Sequence, residues 1–138
     1  MNIRFLILAF GILLCACAKD DGGRIPDVYV YYQIPVNHPS MNALNNAGGS
    51  VLVDGHGVAG LIIYKRLIDN KIVAYDRCSS VNPEKKCAVN IENTFTAVDP
   101  CSGAKFFLED GSPALAPAKR ALKAYGVSVN GLYLVVSN

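Results

Sequence analysis

Leu61-Ile62-Ile63-Tyr64-Lys65-Arg66-Leu67, a turn signal at Asp69-Asn70, and then Ile72-Val73-Ala74-Tyr75 set the pattern of this chain. A short run of β-branched and aromatic residues, a reversal at polar residues and a second such run predict two strands. The same alternation continues outward on both sides. Upstream, Val51–Val53 precedes Asp54-Gly55, and Val28-Tyr29-Val30-Tyr31-Tyr32-Gln33-Ile34 reads as a strand ended by Pro35. Residues 36–50 between them are rich in asparagine and carry Pro39, Gly48 and Gly49, which is loop chemistry. Downstream, Thr94–Val98 and Lys105–Leu108 lead to a turn at Glu109-Asp110-Gly111, while Val127–Val129 and Leu132–Val136 flank Asn130-Gly131, a strong hairpin signal. Strands this short, with turns this dense, predict an all-β sandwich or barrel. One segment dissents. Ala118-Lys119-Arg120-Ala121-Leu122-Lys123-Ala124, closed by Gly126, has helix propensity and by itself predicts a short helix.

The N-terminus has a different character. Met1-Asn2-Ile3-Arg4 places one positive charge before an unbroken apolar run from Phe5 to Leu14. A helix needs about 20 apolar residues to cross a hydrocarbon core, so this run suits the apolar region of an export signal instead. The residues that follow, Leu14-Cys15-Ala16-Cys17, resemble the bacterial lipobox. The resemblance implies a signal peptide over 1–16, cleavage before Cys17 and lipidation of Cys17. Residues 17–25 are then a lipidated tether, and its polar start, Ala18-Lys19-Asp20-Asp21-Gly22-Gly23, suits that role. Lysine followed by two acids also resembles the surface-export signal of lipoproteins in the Bacteroidetes. The expected location is extracytoplasmic, anchored at the outer membrane, with display at the cell surface as the further implication.

Residues 26–138 are left for one domain with its own core. Of thirteen basic residues Arg4 leaves with the signal, so charge in the mature chain is close to balanced against eleven acids. No basic stripe points to a nucleic-acid groove or a polybasic membrane patch. Cys78, Cys87 and Cys101 remain for the domain. Outside the cytoplasm, one disulfide with one thiol left over is the expectation.

From Gly55 to the C-terminus the order of features resembles a Rieske domain, the small all-β fold that carries a two-iron cluster. Ile72-Val73-Ala74-Tyr75-Asp76-Arg77-Cys78 is similar to the approach to the family's first cluster loop, Cys-x-His. Asp99-Pro100-Cys101-Ser102-Gly103-Ala104-Lys105-Phe106 is similar to its second, Cys-Pro-x-His-Gly-x-x-Phe, with Pro100, Gly103 and Phe106 in register. Pro117-Ala118, then Leu122 to Val127 and a terminal hairpin, is similar to the family's tail, which is extended. The resemblance therefore implies an extended 118–124 in place of the helix, and a Rieske-like domain of small antiparallel sheets over 26–138.

The ligand positions depart from the family. A Rieske cluster takes two thiolates on one iron and two imidazoles on the other, and the matching positions here are Cys78, Ser80, Asp99 and Ser102. Serine hydroxyls are poor iron ligands and aspartate favours hard cations. The expectation is a degenerate member with no cofactor and no metal, the alternative being a respiratory or reductase electron-transfer protein that retains a [2Fe–2S] cluster or another metal. The resemblance also implies a disulfide clamping the two loops, here Cys87–Cys101, with Cys78–Cys101 as the alternative pairing and Cys78 otherwise a small buried hydrophobe. His38, in Asn37-His38-Pro39-Ser40, and His56, between Gly55 and Gly57, read as loop and turn residues and not as ligands. Gly55-x-Gly57-x-x-Gly60 matches a dinucleotide pattern by letters, but a strand follows it where a helix is required. Glu84-Lys85-Lys86 reads as solvated loop, and Tyr29, Tyr31 and Tyr32 as strand aromatics packed in a core. No acid–base pair suggests an enzyme. The expected partners are the membrane, through the N-terminal lipid, and an unidentified protein, with no nucleic acid.

Overall fold

The computed structural model describes residues 24–138. The expected signal peptide, the expected lipidation site Cys17 and the expected tether as far as residue 23 lie outside the described residues. Among the described residues, ten strands form two antiparallel sheets. In chain order they are β1 Tyr31–Pro35, β2 Ser50–Val53, β3 Leu61–Lys65, β4 Ile72–Asp76, β5 Asn90–Ile91, β6 Thr96–Val98, β7 Lys105–Phe107, β8 Pro113–Leu115, β9 Ala124–Asn130 and β10 Tyr133–Ser137. The larger sheet has the order β1-β10-β9-β4-β3-β2 and the smaller β5-β6-β7-β8. The smaller sheet is an insertion between β4 and β9, and the loops that enter and shape it carry the three cysteines of the domain.

β3 shows why its sequence is apolar without alternation. Leu61 and Ile63 join one core with Val30, Met41, Leu44, Leu134 and Val136. Ile62 and Tyr64 face the other way, into a second core with Tyr75, Val89, Ala97, Phe106, Leu108 and Leu122. A strand covered on both faces must be apolar on both. At about 25 cal/mol per Å² of apolar surface buried, these side chains supply much of the drive for the two layers to close.

Two strands escape sequence reading because their partners define them. β5 is two residues paired to Val98 and Ala97 of β6, and β8 begins with Pro113, a residue tolerated at the start of a strand. The first strand begins at Tyr31, not Val28. Of its tyrosines, Tyr32 packs on the first core, whereas Tyr29 and Tyr31 are exposed, which corrects the expectation that all three are core residues. Within the expected loop 36–50, Pro39–Asn45 forms a 3-10 helix. Pro39 opens it, and the Ser40 amide donates to His38 Nδ1 at 3.2 Å, so His38 acts as its cap. The terminal hairpin turns through Gly131-Leu132, with Gly131 at φ +59°, the place where a type II′ turn takes glycine.

Residues 116–123 contain no helix. Ala118 and Leu122 pack on the second core, and the backbone is taken up by distant partners. The Leu122 amide donates to the Gly111 carbonyl, and the Lys123 carbonyl accepts from the Asp76 amide. Tertiary partners here outweigh a helix propensity of a few tenths of a kcal/mol per residue. Among the described residues no helix is long and apolar enough to cross a membrane.

Candidate functional site

Two loops meet beside the small sheet. The first leaves β4 at Arg77 and returns to β5. It is closed by the Val89 amide on the Arg77 carbonyl at 2.7 Å and the Ser79 amide on the Cys87 carbonyl at 2.9 Å. Its turn, Pro83–Lys85, is a 3-10 helix flanked by Asn82 and Lys86, both left-handed, and Glu84, Lys85 and Lys86 are exposed. That reversal carries Cys87 back alongside Cys78. The second loop joins β6 to β7, with the Asp99 amide on the Ala104 carbonyl and the Gly103 amide on the Asp99 carbonyl, both at 2.8 Å. Gly103, at φ +77°, completes the turn.

Cys87 and Cys101 form a disulfide between the loops, with Cα atoms 6.3 Å apart. Cys78 is a free, fully buried thiol. Its sulfur lies 3.5 Å from the Pro83 carbonyl oxygen, to which it donates. Burial first, and then the Asp76 charge, push its pKa up to about 11.

Of the other three positions that match Rieske ligands, Ser80 turns to a distant carbonyl, and Asp99 and Ser102 bond each other. Ser80 Oγ donates to the Arg120 carbonyl at 2.6 Å, tying the first loop to the segment before β9. Asp99, fully buried, accepts from Ser79 Oγ at 2.7 Å and Ser102 Oγ at 2.6 Å on Oδ2, and from the Cys101 amide at 2.8 Å on Oδ1. Burial is the largest single influence on its carboxyl and opposes ionisation. The Ser102 and Ser79 hydroxyls and the loop amides together outweigh it and hold the pKa below the usual aspartate value. Ser79, which sequence spacing does not single out, is thus the residue that joins the two loops around this carboxylate.

A second buried carboxylate, Asp76, braces the base of the first loop. Oδ1 accepts from the amides of Ala59 at 3.2 Å and Cys78 at 2.8 Å, and Oδ2 from the Val58 amide at 2.6 Å and the Tyr125 hydroxyl at 2.7 Å. The glycine turn 55–60 makes this approach possible. A Cβ on Gly57 would stand 2.4 Å from Asp76 Oδ2, and Gly57 holds φ +69°. Burial and then the Asp76 contact push the Tyr125 phenol upward. His56, in the same turn, makes an edge contact with Tyr32 at 5.0 Å between ring centroids. Among the described residues, the one group of three or more histidine, cysteine and acidic donors that converge is Cys87, Asp99 and Cys101. It contains neither histidine.

The architecture defines a class first: two packed antiparallel sheets with a small sheet inserted, whose loops are joined by a disulfide. Comparison with solved structures then gives the fold. The plasma membrane Rieske protein PetC3 of the cyanobacterium Synechocystis PCC 6803 superposes with a TM-score of 0.56 at 23% identity, over 76% of this chain and 97% of that one. The fold of this chain is Rieske-like. A complex of reduced oxygenase and oxidised ferredoxin in carbazole 1,9a-dioxygenase gives 0.49 at 19% identity, over 78% of this chain and 93% of that one. A ferredoxin of Sphingomonas yanoikuyae B1 gives 0.46 at 15% identity, over 67% and 88%. No protein-family model and no curated protein matches the chain.

Proposed function

We propose that this chain is a Rieske-like domain without a conventional [2Fe–2S] centre, exported and lipid-anchored at Cys17, that serves in binding or structure and not in catalysis. The observation that carries this reading is the chemistry and bonding of the four ligand-position side chains. Cys78 turns to the Pro83 carbonyl and Ser80 to the Arg120 carbonyl, while Asp99 and Ser102 bond each other. A cluster needs thiolates and imidazoles aimed at one point. At these positions stand one thiol, two hydroxyls and one carboxylate, with no imidazole and no second thiol. That set does not fit the cluster.

The disulfide supports the same picture. It holds the two loops together in place of a shared cluster, and closing its loop contributes about 3 kcal/mol by the chain-entropy estimate. A structural disulfide also suits an oxidising, extracytoplasmic location. The exposed loop residues Glu84, Lys85, Lys86, Pro100 and Gly103 offer the surface on which a protein partner would dock.

Iron and acid-labile sulfide analysis, with a visible spectrum of anaerobically purified protein, tests the central point. Both come out blank on this reading, and a stoichiometric iron–sulfur chromophore overturns it. For the anchor, Cys17→Ser should move the protein from the detergent to the aqueous phase on partitioning. Unchanged partitioning refutes lipidation at Cys17.

A further inference from the structure

We infer that the Cys87–Cys101 disulfide masks a metal site: once reduced, Cys87, Cys101 and Asp99 form a thiolate–carboxylate set for a borderline-soft divalent cation of the zinc class. The inference goes beyond the binding role proposed above: it concerns the same two loops in a different redox state.

The three donor atoms, two sulfurs and a carboxylate oxygen, lie within 4.8 Å of one another. Zinc takes sulfur at about 2.3 Å in tetrahedral geometry, which sets the two sulfurs roughly 3.7 Å apart. Sulfurs released from a disulfide separate to non-bonded contact, which is the same range, so the loops need little rearrangement. Asp99 supplies the oxygen from a fixed position. Its carboxylate is oriented by the Ser79 and Ser102 hydroxyls and the Cys101 amide, the kind of outer support that aims a metal ligand. Cys101 is exposed and Cys87 half-buried, while Asp99 is buried beneath them. The solvent side is left for water as a fourth ligand, as in open zinc sites. Two thiolates favour zinc over magnesium or calcium. Of the four positions that match Rieske ligands only Asp99 takes part, and both thiolates come from the disulfide, so the donor set is not that of the cluster.

The redox step balances simply. An incoming dithiol gives two electrons and two protons, the Cys87–Cys101 bond breaks to two thiols, and the dithiol leaves as its own disulfide. Exposure of Cys101 gives it access. Metal binding then releases the two thiol protons to solvent.

The test uses purified protein reduced anaerobically by a phosphine, which becomes its oxide with oxygen from water and brings no thiol to compete. Cobalt(II) is titrated in, with circular dichroism recorded on the same samples. Reduced protein should take up one equivalent, with thiolate charge-transfer and tetrahedral ligand-field bands that zinc abolishes, and unreduced protein should show none. Reduced Cys78→Ala keeps the bands and reduced Cys101→Ser loses them; the two variants make opposite predictions, so either decides if the other fails to fold. Asp99→Asn weakens cobalt binding at least about tenfold, the lower end of what losing even an outer contact costs. Absence of bands in the reduced protein, equal binding without reduction, bands in Cys101→Ser, loss of bands in a folded Cys78→Ala, unchanged affinity in Asp99→Asn, or bands only from an unfolded chain each overturn the inference.

Discussion

Asp76 and Asp99 are both fully buried, yet replacing each by asparagine should have unequal consequences, because their donors differ in kind. Around Asp76, three of four donors are backbone amides, whose hydrogens cannot turn away. In Asp76→Asn one oxygen becomes an NH2 group. One orientation sets it against the amides of Ala59 and Cys78, the other against the Val58 amide and the Tyr125 hydroxyl. The second costs less, since the Tyr125 hydroxyl can rotate to accept, but it leaves the Val58 amide facing an NH2 group. With that bond lost, about 1.5–3 kcal/mol, and charge assistance gone from the other partners, about 1–2 kcal/mol, the expected cost is about 2.5–5 kcal/mol. Around Asp99 the Oδ2 partners are hydroxyls. In Asp99→Asn the new side chain would keep its oxygen on the Cys101 amide and point its NH2 at Ser79 and Ser102, which rotate to accept. Its cost should be about 1–2 kcal/mol, the loss of charge assistance. Urea unfolding at neutral pH, comparing midpoints at equal m-values, measures both. A domain of this size has about 5–15 kcal/mol in all, so Asp76→Asn should leave a marginal fold. Equal losses, or a larger loss for Asp99→Asn, would refute this account of the two loops.

Three further outcomes follow from the same geometry. Because the Asp99 carboxyl is held below its ordinary value of 3.8, the stability it contributes is fully present above that pH and is lost as pH falls through the lower folded value. The gap in urea midpoint between wild type and Asp99→Asn should therefore stay level from neutral pH to about 4 and narrow below it. Cys87→Ser with Cys101→Ser should lower stability by about 3 kcal/mol, and non-reducing peptide mapping of the wild type should recover the two cysteines linked; a Cys78–Cys101 peptide would contradict the structure. Cys78, buried and with its pKa pushed up to about 11, should resist iodoacetamide in the folded protein at neutral pH and react once urea unfolds it.

Much of the sheet framework is legible in the chain. Leu61–Lys65 and Ile72–Asp76 form strands where their β-branched runs stand, and the reversal at Gly131 closes the last hairpin. The family resemblance locates Cys78, Ser80, Asp99 and Ser102 as the ligand-matching positions of two loops, and Gly55–Gly60 leads into the strand β3 where a nucleotide motif requires a helix. These features depend on neighbours a few residues away, and local sequence encodes them.

What the tertiary structure alone decided are the contacts between distant segments. Residues 118–124 favour a helix by composition, but form none because the second core takes Ala118 and Leu122 and distant groups take the backbone. Asn90–Ile91 becomes a strand only because β6 lies beside it. The same is true of the site. Spacing places Ser80 beside Cys78, but only the packed chain sends its hydroxyl to the Arg120 carbonyl, and only there do Ser79 and Asp99 meet. Hydroxyls and carboxylates take whichever partner lies within about 3 Å, and that proximity is set by how the two sheets pack, not by the order of residues in either loop.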